Sequence, residues 1–140
     1  PRIMITLRKT IPISCTTLWS ALTELDQMQQ WYFQELKEFK AKVGFETAFA
    51  FEYKGKIFTH KWRVVEVEPG QKIAYHWQYE EYEGDSIVSF QMEKMPNGSH
   101  LHLEARILSP FPEMEEFSQK SMEKGWSSLI EDRLIPFLLK

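Results

Sequence analysis

The sequence predicts an α+β domain in which a curved antiparallel sheet of about six strands wraps around one long C-terminal helix, with two short helices after the first strand. Three observations predict it. In Phe45-Thr47-Phe49-Phe51-Tyr53, Ile73-Tyr75-Trp77-Tyr79, Val88-Phe90-Met92 and Leu101-Leu103-Ala105-Ile107, apolar or aromatic residues recur at alternate positions, which in a strand puts them on one face. Lys54-Gly55, Pro69-Gly70, Gly84-Asp85 and Asn97-Gly98 are tight-turn pairs between these segments, so the strands form a meander. Finally, Phe117, Trp126, Leu129, Ile130, Leu134 and Phe137 recur at helical spacing after Pro110 and Pro112. A helix of roughly 25 residues beginning near Glu113 can lie across the apolar face, either closing it or leaving a hollow.

Each element has a local reason. Ile3 to Ile11 alternates through Ile3, Ile5 and Leu7 and stops at Pro12, which cannot donate to a central ladder; it should pair at a sheet edge or close the meander. Ser14 or Thr16 can cap a helix carrying Trp19, Leu22 and Leu25, and Asp26 a second one carrying Met28, Trp31 and Tyr32. Gly44 opens the aromatic strand. Between Lys56 and Val67 two sets compete for the inward face, Phe58, His60, Trp62 and Val64 against Ile57, Thr59, Val65 and Val67, so either a bulge switches the alternation or both faces are covered; Trp62 is read as inward. On the terminal helix Glu113, Glu115 and Glu116 favour the dipole, Gly125 is read as permitting close approach of Trp126 to the sheet, and Pro136 should kink or loosen the last turns.

At 140 residues the chain is read as a single domain over residues 1–140, large enough for a core without disulfides or metals. A formal charge of −3 gives no basic footprint for nucleic acid. No apolar run approaches ~18 residues and the start, Pro1-Arg2-Ile3, lacks a signal peptide's apolar region, so neither membrane insertion nor export is expected. The single cysteine, Cys15, fits a reducing compartment, and the expectation is cytoplasmic.

Specific stretches carry a resemblance. Pro12-Ile13-Ser14 before Trp19-Ser20-Ala21-Leu22-Thr23, then Gln30-Trp31-Tyr32-Phe33, Val65-Glu66-Val67-Glu68-Pro69, Ile73-Ala74-Tyr75-His76-Trp77 and Gly125-Trp126 resemble, nearly end to end, the family related to the activator of the heat-shock-90 chaperone ATPase, within the START-like (SRPBCC) helix-grip superfamily. The resemblance implies a helix-grip fold. It also implies the range of activities in that superfamily: binding of lipids, hormones or polyketides inside the grip, and in some members cyclase or hydratase chemistry. In the eukaryotic cochaperone the chaperone is met through an additional N-terminal domain. This sequence opens at the first strand of the grip, so a chaperone partner is not the leading expectation.

The residues themselves name little chemistry. The Pro69-Gly70 hairpin sets His76 opposite Arg63 rather than His60, and His100 and His102 alternate with Leu101 and Leu103 and so point off the apolar face; no metal site is expected. Cys15 is read as a small buried hydrophobe rather than a reactive thiol. No nucleophile elbow, phosphate loop, dinucleotide fingerprint or paired-histidine zinc motif occurs, and no cofactor is expected. The expected ligand cavity draws Trp31 from the second helix, Phe49, Phe51, Trp62, Tyr75, Trp77 and Phe90 from the strands, and Trp126, Leu129, Ile130 and Arg133 from the terminal helix. The leading reading is enclosure of a small or medium apolar molecule. A cyclase- or hydratase-type enzyme using Tyr75, Arg133 or a cavity histidine is the alternative, and a chaperone-associated or homodimeric interaction module the third.

Overall fold

Residues 3–140 are described by a computed structural model. The strands are β1 (Met4–Ile11), β2 (Glu46–Tyr53), β3 (Lys56–Glu68), β4 (Lys72–Tyr79), β5 (Asp85–Met95) and β6 (Gly98–Ser109). They form one sheet of order β1-β6-β5-β4-β3-β2, antiparallel at every pairing. The meander is as the turn residues predict, and β1 takes the edge beside β6. The Gly98 turn is tight for a second reason: a Cβ there would overlap the carbonyl oxygen of Ile11, where β1 ends.

Alternation delivers the core. On β6 Leu101 and Leu103 are fully buried, and on β5 Val88, Phe90 and Met92 face the same way. In β3 the ambiguity resolves through a bulge. Phe58, His60, Trp62 and Val64 are buried in alternation, the register with β4 then shifts between Val64 and Glu66, and Val67, opposite Ile73, packs against the core. The Phe58-to-Val64 set is therefore the inward one along most of β3; past one inserted residue Val67 of the other set turns inward, while Ile57 is exposed. Before the bulge Arg63 stands opposite His76, as the hairpin predicts.

Two short helices, α1 (Cys15–Thr23) and α2 (Leu25–Trp31), follow β1. Ser14 caps α1, its Oγ accepting from Thr17 N at 3.1 Å. Asp26 does not cap α2. The extended backbone of Glu24 ends one helix and begins the other, which leaves Asp26 in the first turn. After α2 an irregular connection buries Tyr32, Phe33, Leu36 and Phe39 beneath the aromatic face. Tyr32, expected on the second helix, falls just past its end, and no strand or helix periodicity marks the other three in the sequence.

The terminal helix starts later than Glu113. Glu115–Phe117 form a single 3-10 turn, Ser118 is extended, and its Oγ caps α3 (Gln119–Ser127) by accepting from Ser121 N at 3.1 Å. The acidic residues therefore lie outside the first turn of α3. The axis continues through a π-helical stretch, Ser128–Leu134, into α4 (Ile135–Leu139). Loosening at Pro136 takes this form: wide turns precede the proline, which then sits in the first turn of a new α segment where its missing N–H forfeits little. Trp126, Ile130 and Leu134 bury the inner side of this helix against the sheet and α2. Gly125 is not a point of close approach, since a Cβ there would meet nothing within 4 Å.

Candidate functional site

Between the terminal helix and the sheet lies a half-open cleft of about 790 Å³, lined from all six strands, within the range of small-molecule sites. The helix closes on the sheet at Trp126, whose ring meets Trp77 at 5.3 Å. The cleft wall mixes rings with polar side chains such as Glu35, Lys54 and Lys124, and Phe111 and Phe117, stacked at 5.1 Å, both pack against Tyr79 within it. Lys56 Nζ reaches Glu116 Oε2 at 2.9 Å and ties the β2–β3 hairpin to the 3-10 turn across the opening.

Of the residues expected around the cavity, Phe51, Trp77, Trp126, Leu129 and Arg133 line this cleft. Trp31, Phe49, Trp62, Tyr75, Phe90 and Ile130 are each buried to 3% exposure or less and form the solid layer behind it. Period-2 alternation assigns a face, but not how far the covering helix stands from it. The distinction within one face is therefore set by the helix and by the connection after α2. Arg133 lies at the edge, its Nε donating to the Trp31 carbonyl at 2.6 Å, so its charge meets the C-terminal end of α2.

The packed layer has its own polar chemistry. Tyr32 and Tyr75 share a hydrogen bond between their hydroxyls at 2.7 Å. Burial raises both phenols well above their ordinary pKa, so the pair is neutral. The Trp31 indole donates to the Ala21 carbonyl at 2.7 Å, whereas the buried indole nitrogen of Trp62 has no partner among the described residues.

Among the wall residues outside the expected cavity set are Tyr32, Phe33, His60 and Tyr79. Tyr32 and Phe33 fall just beyond α2, where the chain leaves helical geometry, and only their apolar character in Trp31-Tyr32-Phe33 points to them. His60 was legible in principle, because placing Trp62 inward places His60 inward as well. It is 4% exposed, and Nδ1 lies 2.9 Å from the Phe58 carbonyl oxygen. Burial pushes its pKa down to about 4, so the ring is neutral at neutral pH and Nδ1 carries the hydrogen. Tyr79 is cross-strand from His60, and burial pushes its phenol up to about 12. His100 and His102 sit on the opposite side of β6 from Leu101 and Leu103, with His100 Nδ1 3.1 Å from Thr10 Oγ1.

This geometry can be set against known proteins. The family model described as Activator of Hsp90 ATPase homolog 1-like protein matches residues 12–137. The chain belongs to that family. Solved structures show the same helix-grip fold as this Activator of Hsp90 ATPase homolog 1-like chain. The Mll3558 protein from Rhizobium loti superimposes with a TM-score of 0.85 at 18% identity, over 98% of this chain and 97% of that one. The MLL2253 protein from Mesorhizobium loti gives 0.73 at 25% identity, over 97% and 96%. The Aha1 dimer from Colwellia psychrerythraea gives 0.74 at 17% identity, over 97% and 96%. No curated protein matches this member of the family. No helix among its described residues is long and apolar enough to cross a membrane.

Proposed function

We propose that this domain binds a small or medium apolar molecule in the cleft between its curved sheet and C-terminal helix. The observation that carries the reading is the half-open 790 Å³ space walled by Phe51, Trp77 and Trp126, in a molecule whose aromatic layer is otherwise packed solid. A concave space edged by aromatic side chains gains from an occupant that removes their remaining apolar surface from water. The lone cysteine suits a reducing compartment, and we place the protein in the cytoplasm.

Ligand-linked stability tests this. A cleft ligand raises the free energy of unfolding by about 2.7 kcal/mol at a hundredfold excess over its dissociation constant. Naphthalene derivatives and medium-chain fatty acids are expected to shift the denaturant midpoint, with Trp77→Ala weakening the effect. No shift from any of them at saturation would overturn the reading. Native mass spectrometry would show a co-purified molecule directly.

A cyclase- or hydratase-type activity in the same cleft is the second reading. It is favoured by the titratable groups in the wall, His60 and Tyr79, which could orient a reactive intermediate away from water. Turnover of the bound molecule, rather than its simple release, would distinguish it. A homodimeric or chaperone-associated module is the third; the dimeric relative from Colwellia psychrerythraea supports it. Light scattering of the purified chain tests the dimer.

A further inference from the structure

Cross-strand register in β3 and β4 puts His60 directly opposite Tyr79, ring centroids 4.9 Å apart, and both stand in the cleft wall. The Nδ1 hydrogen of His60 is given to the Phe58 carbonyl, which leaves Nε2 as a lone-pair acceptor. Nε2 has no hydrogen-bond partner among the described residues, and unlike the indole nitrogen of Trp62 it is not sealed from the cleft. The ring is held in this pose. Phe49 stacks on it at 4.7 Å and 14°, and Phe33 and Trp77 close on it at 4.9 and 5.1 Å.

Tyr79 supplies the complementary group. Its Oη accepts from the Trp77 indole at 2.7 Å, and its own hydroxyl hydrogen finds no acceptor among the described residues. One acceptor and one donor therefore sit on neighbouring strands, both uncharged, on the sheet side of the wall beside Phe33, Phe51 and Trp77. Such groups are costly to leave unpaired once an apolar occupant displaces water, so they discriminate among occupants.

We propose that His60 Nε2 and Tyr79 Oη form a polar recognition pair, which selects a neutral, planar aromatic ligand carrying a hydroxyl donor and a carbonyl acceptor, a hydroxyaryl ketone in class. The proposal rests on the cleft being a ligand site and adds which ligands it prefers. His60 accepts from the hydroxyl, Tyr79 donates to the carbonyl, and the surrounding rings stack on the plane.

Two matched pairs of probes separate the two contacts. Naphthol and methoxynaphthalene differ by the hydroxyl hydrogen, and acetylnaphthalene and ethylnaphthalene by the carbonyl. Measured by tryptophan quenching on the native protein, the first member of each pair is expected to bind about fivefold or more tightly, the worth of one hydrogen bond. His60→Phe should erase the naphthol preference and keep the acetylnaphthalene preference; Tyr79→Phe should do the reverse. In native protein with isotope-labelled imidazole nitrogens, the Nε2 resonance should move on adding naphthol and stay put with methoxynaphthalene, a readout that needs no variant. Equal affinities within both pairs, or preferences that survive both substitutions, overturn the recognition pair while leaving the cleft as an apolar site. Failure of all four naphthalenes to bind overturns the pair, and overturns the apolar-ligand reading with it where the fatty acids fail too.

Discussion

His60 shows how one residue can be structural and addressable by pH at once. Burial among rings dominates its pKa; the Phe58 carbonyl and the Glu81 carboxylate pull the other way and offset only part of it. Its folded pKa of about 4 lies below the ordinary 6.5, so between those values the unfolded chain binds a proton that the folded chain refuses. The stabilisation is present in full above about pH 6.5 and is lost as pH falls toward about 4, to a total of about 3 kcal/mol. Denaturant titrations across that range should show the loss in the native protein and its absence in His60→Phe, whose remaining slope comes from carboxylates. Identical slopes in the two proteins would mean that His60 is hydrated in the folded state. The sequence contained the reason for His60's position, since it shares parity with Trp62, but not all of its neighbours. Phe49, Trp77 and Tyr79 come from strands of legible alternation, but Phe33, which closes the ring from the other layer, stands on a connection with no periodic signal.

The terminal helix was legible as an amphipathic element and illegible in its details. Trp126, Ile130 and Leu134 are four residues apart and face inward together, which the pattern requires. The start moved from the acidic cluster to Gln119 because Ser118 caps better than any glutamate: its short hydroxyl reaches the free N–H of Ser121. The wide turns of Ser128–Leu134 depend on Pro136 and on the tie from Arg133 to Trp31, a tertiary contact no local reading supplies. Gly125 gives this element a direct test. It is exposed, helical and free of neighbours at the Cβ position, so Gly125→Ala should stabilise the protein by about 0.5–1 kcal/mol in urea titration. A loss of stability instead would mean that the helix packs closer to the sheet than described.

At the scale of the molecule, turn residues and alternation were enough for the strand number and the meander, because a period of two leaves one inward choice wherever a face is buried; the edge taken by β1 and the bulge in β3 were left open and come from the structure. The cleft was less legible. Whether a ring on that face lines a space or fills it depends on the divergence of two layers, and six of the expected wall residues lie in the filled part. The same layering predicts the order of opening. Amide exchange should be slowest in β5 and β6, which are paired on both sides and carry fully buried Leu101 and Leu103, and faster in edge strand β2, with Tyr53 and Ile57 exposed at its hairpin. Slowest exchange in β2 would contradict the sheet order. The pairing of β1 with β6 also has a consequence in time. Met4 meets Arg106 and Ile11 meets Ser99, so on a ribosome adding about 5–20 residues per second the first strand waits several seconds or more for the strand it will pair with. Until then its apolar residues are a job for whatever shields nascent chains, because the sheet cannot take in this edge before β6 has been made.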